Sequence, residues 1–289
     1  MSFRDNDLKI LFVFIDGFGI GSDDPSINPL RDPRFPNLGK MLDRAHPIDA
    51  CLGVAGKPQS ATGQASLLCG VNAPLAMGKH IEGFPPPRLK ELIEKENLFS
   101  KLRKLGRDPT FANSYWIDDP FNIPPRRQSV TTVMALAANG GVRHKEELMS
   151  GKAVNHDITR WTMHERGYDG PHISEEEAAG HLLAVAAEHD VTLYEYFITD
   201  RAGHSGDPEQ VFQCLESLEK FLPVAASFGE QPNRLFLLCS DHGNIEDCTV
   251  RSHTMNPVPL VAIGQQAGIF QSLENLADVT PAILSLFET

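Results

Sequence analysis

The chain has 289 residues, of which 41% are hydrophobic and 22% are charged, so it is long enough for a sizeable core and ordinary in composition. This composition excludes a collagenous, coiled-coil or wholly disordered chain. The formal net charge of −12 argues against a nucleic acid or an anionic membrane surface as a partner.

Cysteine usage and hydropathy indicate where the protein works. The five cysteines form no CxxC pair, and their odd number favours a reducing compartment without a disulfide framework. No apolar run approaches the roughly 18–20 residues of a membrane-spanning helix. The charged stretch from Met1 to Lys9 is unlike a signal peptide. We therefore expect a cytoplasmic globular protein, and the sequence leaves its oligomeric state open.

Short apolar runs alternate along the chain with helical patterns. Such runs are typical of strands buried on both faces of a parallel sheet. The predicted strands are 9–15, 109–112, 192–198, 234–239 and 258–263. The predicted helices are 99–105, 129–139, 174–189 and 207–221, the last two opened by Ser174 and by Asp207-Pro208. This alternation predicts an α/β fold, a mainly parallel sheet with helices on both faces.

Three aspartates follow predicted strands, at positions 16, 200 and 241. A single aspartate there usually caps a turn. Ligands of open α/β sheets bind at the carboxyl ends of the strands, so three carboxylates together predict a site at one sheet edge.

Three histidines accompany these aspartates. His204 follows Asp200 by four residues, which places both on one side if the segment turns helically. His242 is adjacent to Asp241, and His253 precedes the last strand. Mixed Asp and His sets bind divalent metals, Asp favouring Mn²⁺ or Mg²⁺ and His favouring Zn²⁺.

A hydroxyl-rich turn lies at 58–64, before an apolar run that is typical of a helix. It could present Ser60 at a helix N-terminus, where backbone amides favour an anion. Serine and threonine at such places are usually only caps, so this turn by itself is a weak indication.

Taken together, these motifs resemble the alkaline phosphatase superfamily, and most closely its cofactor-independent phosphoglycerate mutase branch. The resemblance covers roughly 9–75 and 190–289 and is most specific in the DHGN and HTxNPVP segments. The matching segments begin at Asp16 (DGFG), Ser60 (SATG), Asp200 (DRAGH), Ser240 (SDHGN), Ser252 (SHTMNPVP) and Leu276 (LADVTP).

The resemblance implies a two-metal site with Ser60 as the nucleophile. One divalent ion would be held by Asp200, His204 and His253. The other would be held by Asp16, Asp241, His242 and the Ser60 oxygen. Mn²⁺ or Zn²⁺ is the preferred expectation, and Mg²⁺ is an alternative.

The sequence also departs from the family. Gln64 stands where the mutases usually have histidine, and the stretch between Ser60 and Asp200 is too short for their long second domain. We expect one alkaline phosphatase-like domain over 1–289, with a discontinuous core of 1–114 and 173–289 and a small cap at about 115–172. The C/S-x-P-x-R segment of the sulfatase branch is absent around Ser60.

A small cap favours hydrolysis over mutase transfer, because a mutase must exclude water while its intermediate reorients. The sequence therefore predicts a metal-dependent phosphohydrolase that acts on a small phosphate ester through a phosphoserine at Ser60. A phosphomutase is the alternative, and a non-catalytic metal-binding protein is a third. The candidate phosphate contacts are Gln59, Gln64 and Arg201, with Lys79, His80, Arg126 and Arg127 as weaker ones.

Overall fold

The structure is a computed structural model, and it describes residues 7–121 and 123–288. The stretch from Met1 to Lys9, which the sequence predicts not to be a signal peptide, lies mostly outside the described residues. In the part of the chain described, no helix combines the length and the apolar character needed to cross a bilayer.

A six-stranded sheet forms the centre of the fold, in the order β2-β6-β5-β1-β4-β3. Strands β3, β4, β1 and β5 run parallel, whereas β6 pairs antiparallel with β5, and β2 antiparallel with β6. The strands are β1 Lys9–Ile15, β2 His46–Ile48, β3 Pro109–Phe111, β4 Val191–Tyr196, β5 Arg234–Cys239 and β6 Val258–Gly264. The predicted mainly parallel α/β fold is therefore confirmed.

Helices cover both faces of this sheet. They are α1 Pro36–Asp43, α2 Ser60–Cys69, α3 Ala73–Met77, α4 Pro87–Glu96, α5 Leu98–Lys104, α6 Val130–Asn139, α7 Lys145–Met149, α8 Trp161–His164, α9 Glu175–Glu188, α10 Ile198–Ser205, α11 Pro208–Ala226 and α12 Val279–Ser285. Short 3-10 turns lie at Pro29–Arg31, Pro125–Arg127, Ser227–Glu230, Ala267–Ser272 and Leu276–Asp278.

The two faces of β1 show why its sequence is almost continuously apolar. Ile10, Phe12 and Phe14 pack into the core beneath α2, α4, α5, α6 and α12. The alternate side chains face the second core beneath α1, α9, α10 and α11. Because β1 is buried on both faces, its side chains are all apolar from Ile10 to Ile15, and the first polar residue is Asp16, directly after the strand.

The predicted helices occur with small shifts. Ser174 caps α9 by accepting the N–H of Glu177, and Asp207 with Pro208 opens α11, which runs five residues beyond the predicted end. The sequence analysis missed the edge strand β2 and several helices, among them α1 and α4. It also extended β4 too far: the strand ends at Tyr196 and a helix begins at Ile198.

The predicted cap region contains two kinds of structure. Helix α6 packs in the first core, whereas α7 and α8 enclose a small separate cluster formed by Leu148, Ala153, Met163 and Tyr168. The division of the chain into a core and a cap at about 115–172 stays a prediction.

Candidate metal centre

The end of β1 begins the candidate site. Asp16 follows the strand directly, and Gly17 turns the chain with a φ of +68°. A Cβ at Gly17 would lie 2.9 Å from atoms of Asp200, so the turn needs glycine for both conformation and space. This close approach brings the carboxylate of β1 next to helix α10.

Helix α10 presents two side chains of the first donor group. Asp200 lies in its first turn, and not directly after the strand as predicted, while His204 follows four residues later. Asp200 Oδ1 lies 3.5 Å from His204 Nε2 and 3.4 Å from His253 Nε2. These three residues form one cluster of potential metal ligands.

The hydrogen bonds of the two histidines fix which ring nitrogens face the cluster. His204 Nδ1 lies 3.1 Å from the carbonyl of Arg251, and His253 Nδ1 lies 2.8 Å from that of Pro58. A carbonyl only accepts, so each Nδ1 carries a proton and each Nε2 is left to face the cluster. The two Nε2 atoms are 3.0 Å apart, an arrangement that suits a shared cation.

The second donor group is Asp16, Asp241 and His242, all buried. Its His242 Nε2 lies 3.2 Å from Asp16 Oδ1 and 3.6 Å from Asp241 Oδ2. Neither of these carboxylate oxygens accepts a hydrogen bond from a described residue. Buried oxygens without a donor are expensive, so this donor set also fits a divalent cation.

The electrostatics of the protein alone show the same need for positive charge. Burial and the charge of Asp16 raise the pKa of Asp241 well above its usual range. Burial lowers the pKa of His242, but Asp241 and Asp16 outweigh this and raise it to about 10. Burial raises the pKa of Asp200, yet the hydrogen bond from His253 and the charge of His242 bring it to about 2.

Ser60 lies between the two groups, at the first position of α2, with Gln59 extended before it. Its Oγ is 3.0 Å from His242 Nε2 of the second group. It also lines a cleft of about 560 Å³ together with Asp200, His204 and His253 of the first group. The helix can approach this closely because position 63 is glycine, where a Cβ would lie 2.7 Å from the Asp241 carbonyl oxygen.

The neighbouring hydroxyl of Thr62 is used differently. Its side chain is fully buried, where Oγ1 donates to the Gln59 carbonyl at 3.3 Å and accepts the Ile81 N–H at 3.1 Å. Ser60 is half-buried and open to the cleft. Of the two hydroxyls, only that of Ser60 is placed to meet a substrate in this cleft.

A buried glutamate holds the loops of the site together. Glu246 Oε2 accepts the N–H groups of Gly19 at 3.0 Å and Asn244 at 2.7 Å. Its Oε1 accepts from Thr254 Oγ1 and from Asn256 Nδ2. Glu246 lies five residues after Asp241, and no motif in the sequence indicates this role.

Two of the predicted phosphate contacts come from α2 and its cap. Gln59 lines the cleft, as a substrate contact would. Gln64 does not: it is buried, and its Nε2 donates to Asp16 Oδ2 at 3.1 Å.

The structure brings none of the other predicted contacts into the lining of the cleft. Arg201 follows Asp200 on α10 but lines another cavity, beside Trp161. His80 directs Nε2 to the Val54 carbonyl at 3.2 Å. The remaining three, Lys79, Arg126 and Arg127, are exposed. Arg127 lines a separate cavity of about 780 Å³.

Sequence reasoning missed a cation that does line the cleft. Lys57 is exposed at its rim, and its Nζ donates to Ser252 Oγ at 2.7 Å. The only signal in the sequence is its position directly before the turn that carries Ser60.

Part of the chain is similar in sequence to curated proteins. The chain is 32% identical over 161 residues to a 2,3-bisphosphoglycerate-independent phosphoglycerate mutase of Desulforudis audaxviator, and 31% identical over 124 residues to one of Dinoroseobacter shibae. The matches cover 51% and 40% of this chain but only 30% and 25% of the relatives. The matched segments therefore span less than a third of the length of these curated relatives.

Solved structures show the same fold. An alkaline phosphatase from the Antarctic bacterium TAB5 superposes with a TM-score of 0.58 at 10% identity, covering 99% of both chains. The Thermus thermophilus alkaline phosphatase gives 0.59 at 12% identity, covering 96% of this chain and 91% of that one. These likenesses confirm the predicted alkaline phosphatase-like fold.

The family model described as the metalloenzyme superfamily matches residues 8–289, almost the whole chain. Membership implies divalent metal ions, which the two donor groups suit. The resemblance to the alkaline phosphatase superfamily, near the cofactor-independent phosphoglycerate mutase branch, is confirmed. This chain belongs to the metalloenzyme superfamily.

Proposed function

We propose that this protein hydrolyses a small phosphomonoester through a phosphoserine at Ser60. The observation that carries the proposal is the position of the Ser60 hydroxyl at the start of a helix: it lies 3.0 Å from His242 of the second donor group and lines one cleft with the first donor group. Backbone N–H groups at a helix start favour the negative charge of a phosphoryl group.

Two divalent cations complete this proposal. Asp200, His204 and His253 would hold one, and Asp16, Asp241 and His242 with the Ser60 oxygen would hold the other. We propose Mn²⁺ or Zn²⁺, with Mg²⁺ as the alternative, because the ligands mix carboxylates and imidazoles. Bound there, the cations supply Lewis acidity that favours the ionised serine and neutralises phosphoryl charge.

The chain supplies the nucleophile and the binding groups. Ser60 Oγ forms a bond to phosphorus while the ester P–O bond breaks, and the alcohol leaves with a proton. Water then attacks the phosphoserine, which releases inorganic phosphate and restores the hydroxyl. Lys57 and Gln59 line the cleft, where an ammonium and an amide can bind phosphoryl oxygens.

A phosphomutase is the second candidate, favoured by the names of the relatives that match this chain. The exposed rim of the cleft supports hydrolysis instead, because Lys57, Glu82 and Ser252 leave it open to water. A mutase has to exclude water until the phosphoryl group returns.

The test uses metal-loaded protein with ³²P-labelled phosphomonoesters, including 2- and 3-phosphoglycerate. Rapid quenching and peptide mass spectrometry should find the label on Ser60, with inorganic phosphate accumulating from the first turnovers. Isomer interconversion well above phosphate release would establish the mutase and overturn hydrolysis. If no substrate labelled Ser60 or was turned over, the protein would instead be the third alternative, a non-catalytic metal-binding protein.

A further inference from the structure

A cavity beside the cleft has no role in the reaction described above. It measures about 780 Å³ and lies at the carboxyl ends of β3 and β4, where Phe111 and Glu195 line it. Much of the remaining wall is aromatic, with Phe84, Trp116 and Phe197 contributing. Cavities of this size with mostly apolar walls and a few polar groups are typical of small-molecule sites. We call it the aromatic cavity.

The aromatic cavity adjoins the cleft that contains Ser60. One loop separates the two spaces: Glu82 and Gly83 line the cleft, and Phe84 lines the cavity. On another side, Phe197 lines the cavity and directly precedes α10, whose Asp200 lines the cleft. The two spaces therefore adjoin each other at these two short segments of the chain.

Polar groups in the wall indicate a ligand. Ser114 is buried with 5% of its surface exposed, and its Oγ has no hydrogen-bond partner among the described residues. Glu195 is buried too, and its Oε2 accepts from Thr131 Oγ1 at 2.6 Å. Burial raises the pKa of Glu195 to about 8, so its carboxyl is mostly protonated and uncharged at neutral pH. This part of the wall suits an uncharged aromatic group, and two arginines, Arg127 and Arg166, line the cavity as well.

The imidazole of His156 shows that the wall already stacks planar rings. It lies on Phe197 with ring centroids 4.5 Å apart and planes 11° from parallel. Burial lowers the pKa of His156 to about 4, so the ring is neutral at physiological pH. Further aromatic surface on a ligand gains from the same offset stacking.

We propose that the aromatic cavity binds the alcohol part of the substrate, and that the substrate is the phosphomonoester of an aromatic alcohol. This inference rests on the proposed phosphohydrolase function, because it assumes that the phosphate is bound beside Ser60.

The first test compares 2-naphthylmethyl phosphate with ethyl phosphate on metal-loaded protein. Both are esters of primary alcohols, so a difference in kcat/KM reports binding of the ring more than leaving-group chemistry. We expect the aromatic ester to be preferred by about tenfold or more, on the scale of a buried aromatic contact. Equal kcat/KM for the two esters would overturn the proposal.

Two phenylalanines give a matched pair of variants, since both are largely exposed. Phe84 lines the cavity, whereas Phe121 lines a different pocket. Phe84→Ala should lower the aromatic-to-ethyl ratio by about fivefold, and Phe121→Ala should leave the ratio unchanged. Equal effects of the two substitutions would contradict the assignment of the cavity.

A binding measurement separates this proposal from the proposed function. Saturation-transfer NMR with 2-naphthylmethanol needs no turnover and should show contact with the ring protons, weakened by Phe84→Ala. Ring contact without hydrolysis of any phosphomonoester would keep the cavity assignment and reject the phosphohydrolase. Hydrolysis without ring contact or ring preference would reject the cavity assignment and keep the phosphohydrolase.

Discussion

Gln64 Nε2 donates a 3.1 Å hydrogen bond to Asp16 Oδ2, deep in the candidate metal centre. This amide stands where the phosphoglycerate mutases that the chain resembles usually have histidine. The bond occupies one carboxylate oxygen and leaves Asp16 Oδ1 facing His242 at 3.2 Å. The departure from the family pattern thus places a neutral donor that orients a proposed metal ligand.

Replacing this amide tests its orienting role. Gln64→Leu removes the donor to Asp16, and we expect a loss of roughly tenfold or more in metal affinity, as is usual when a partner of a metal ligand is lost. Gln64→Glu should weaken binding further, because a second carboxylate would face Asp16 in a buried place. Calorimetric titration with Mn²⁺ and Zn²⁺ measures both, with the exposed Gln265→Leu as the control. Unchanged affinity in both Gln64 variants would show that the bond is incidental.

The nucleophile assignment predicts a clear difference between two hydroxyls. Ser60→Ala should lower kcat by at least about a thousandfold, while circular dichroism stays near that of the unsubstituted protein and at least one metal remains bound. Thr62→Val should still form the phosphoserine, because the Thr62 side chain is buried and hydrogen-bonded to Gln59 and Ile81. An active Ser60→Ala protein beside an inactive, folded Thr62→Val protein would move the nucleophile by two residues.

Lys57 and Lys79 are both exposed loop lysines, but only Lys57 lines the cleft. We expect Lys57→Ala to raise KM for phosphomonoesters and Ki for inorganic phosphate by about tenfold, the usual scale of one charge-assisted hydrogen bond. Lys57→Arg should recover part of this loss, and Lys79→Ala should change neither constant. Steady-state kinetics at constant ionic strength measure KM and Ki for all three variants. A larger effect from Lys79 would show that the loop before α4 closes over the substrate.

The parts of the site that sequence reasoning found are local in the chain. Asp200 and His204 are one helical turn apart. Asp16 directly follows an apolar run, and the composition of that run already indicates a buried strand. Long-range hydrogen bonds have no such local pattern. Lys57 binds Ser252 and His253 binds the Pro58 carbonyl, and in each pair the two residues are 195 positions apart in the sequence.

The same limit applies to the fold. The parallel centre of the sheet is visible as apolar runs, whereas β2 is a three-residue edge strand that contains Pro47 and has no recognisable pattern. The predicted end of β4 overlaps the start of α10 because Ile198 continues the apolar character of the strand. The chain turns there because Thr199 Oγ1 donates to the Asp16 carbonyl, a contact across the sheet.

Metal removal should lower thermal stability as well as activity. Without cations, the buried carboxylates of Asp16 and Asp241 lie near each other and near Asp200, which raises the pKa of Asp241. A cation at a hundred times its Kd stabilises the folded state by about 2.7 kcal/mol, so chelation should lower Tm by roughly 4–5 °C for each cation that is lost. Differential scanning calorimetry measures the shift, and elemental analysis verifies the removal.

Asp241→Asn provides the control for that experiment. It removes a buried carboxyl whose ionisation the metal-free fold disfavours, so the chelated variant should melt no lower than the chelated unsubstituted protein, and chelation should shift its Tm much less. Identical Tm values for the unsubstituted protein before and after verified metal removal would count against a clustered metal site.

Glu195 predicts a specific pH dependence of stability. Burial raises its pKa from 4.5 to about 8, the hydrogen bond from Thr131 opposing this and the charge of Asp16 adding to it. The folded protein therefore binds this proton more tightly than the unfolded chain does. The resulting stability is fully present below about pH 4.5 and is lost as the pH rises through 8. Each pKa unit corresponds to about 1.36 kcal/mol, so the loss amounts to a few kcal/mol.

Glu195→Gln isolates this contribution, because glutamine can still accept from Thr131 and never ionises. At pH 5 the variant and the unsubstituted protein should unfold with similar free energies. Between pH 6 and 9 the unsubstituted protein should lose stability relative to the variant, as measured by urea unfolding of metal-saturated protein. Glu188→Gln, which removes an exposed carboxylate from α9, controls for the change in net charge. Parallel stability curves for all three proteins would mean that Glu195 ionises as readily in the fold as in the unfolded chain, and that the floor of the aromatic cavity is charged at neutral pH.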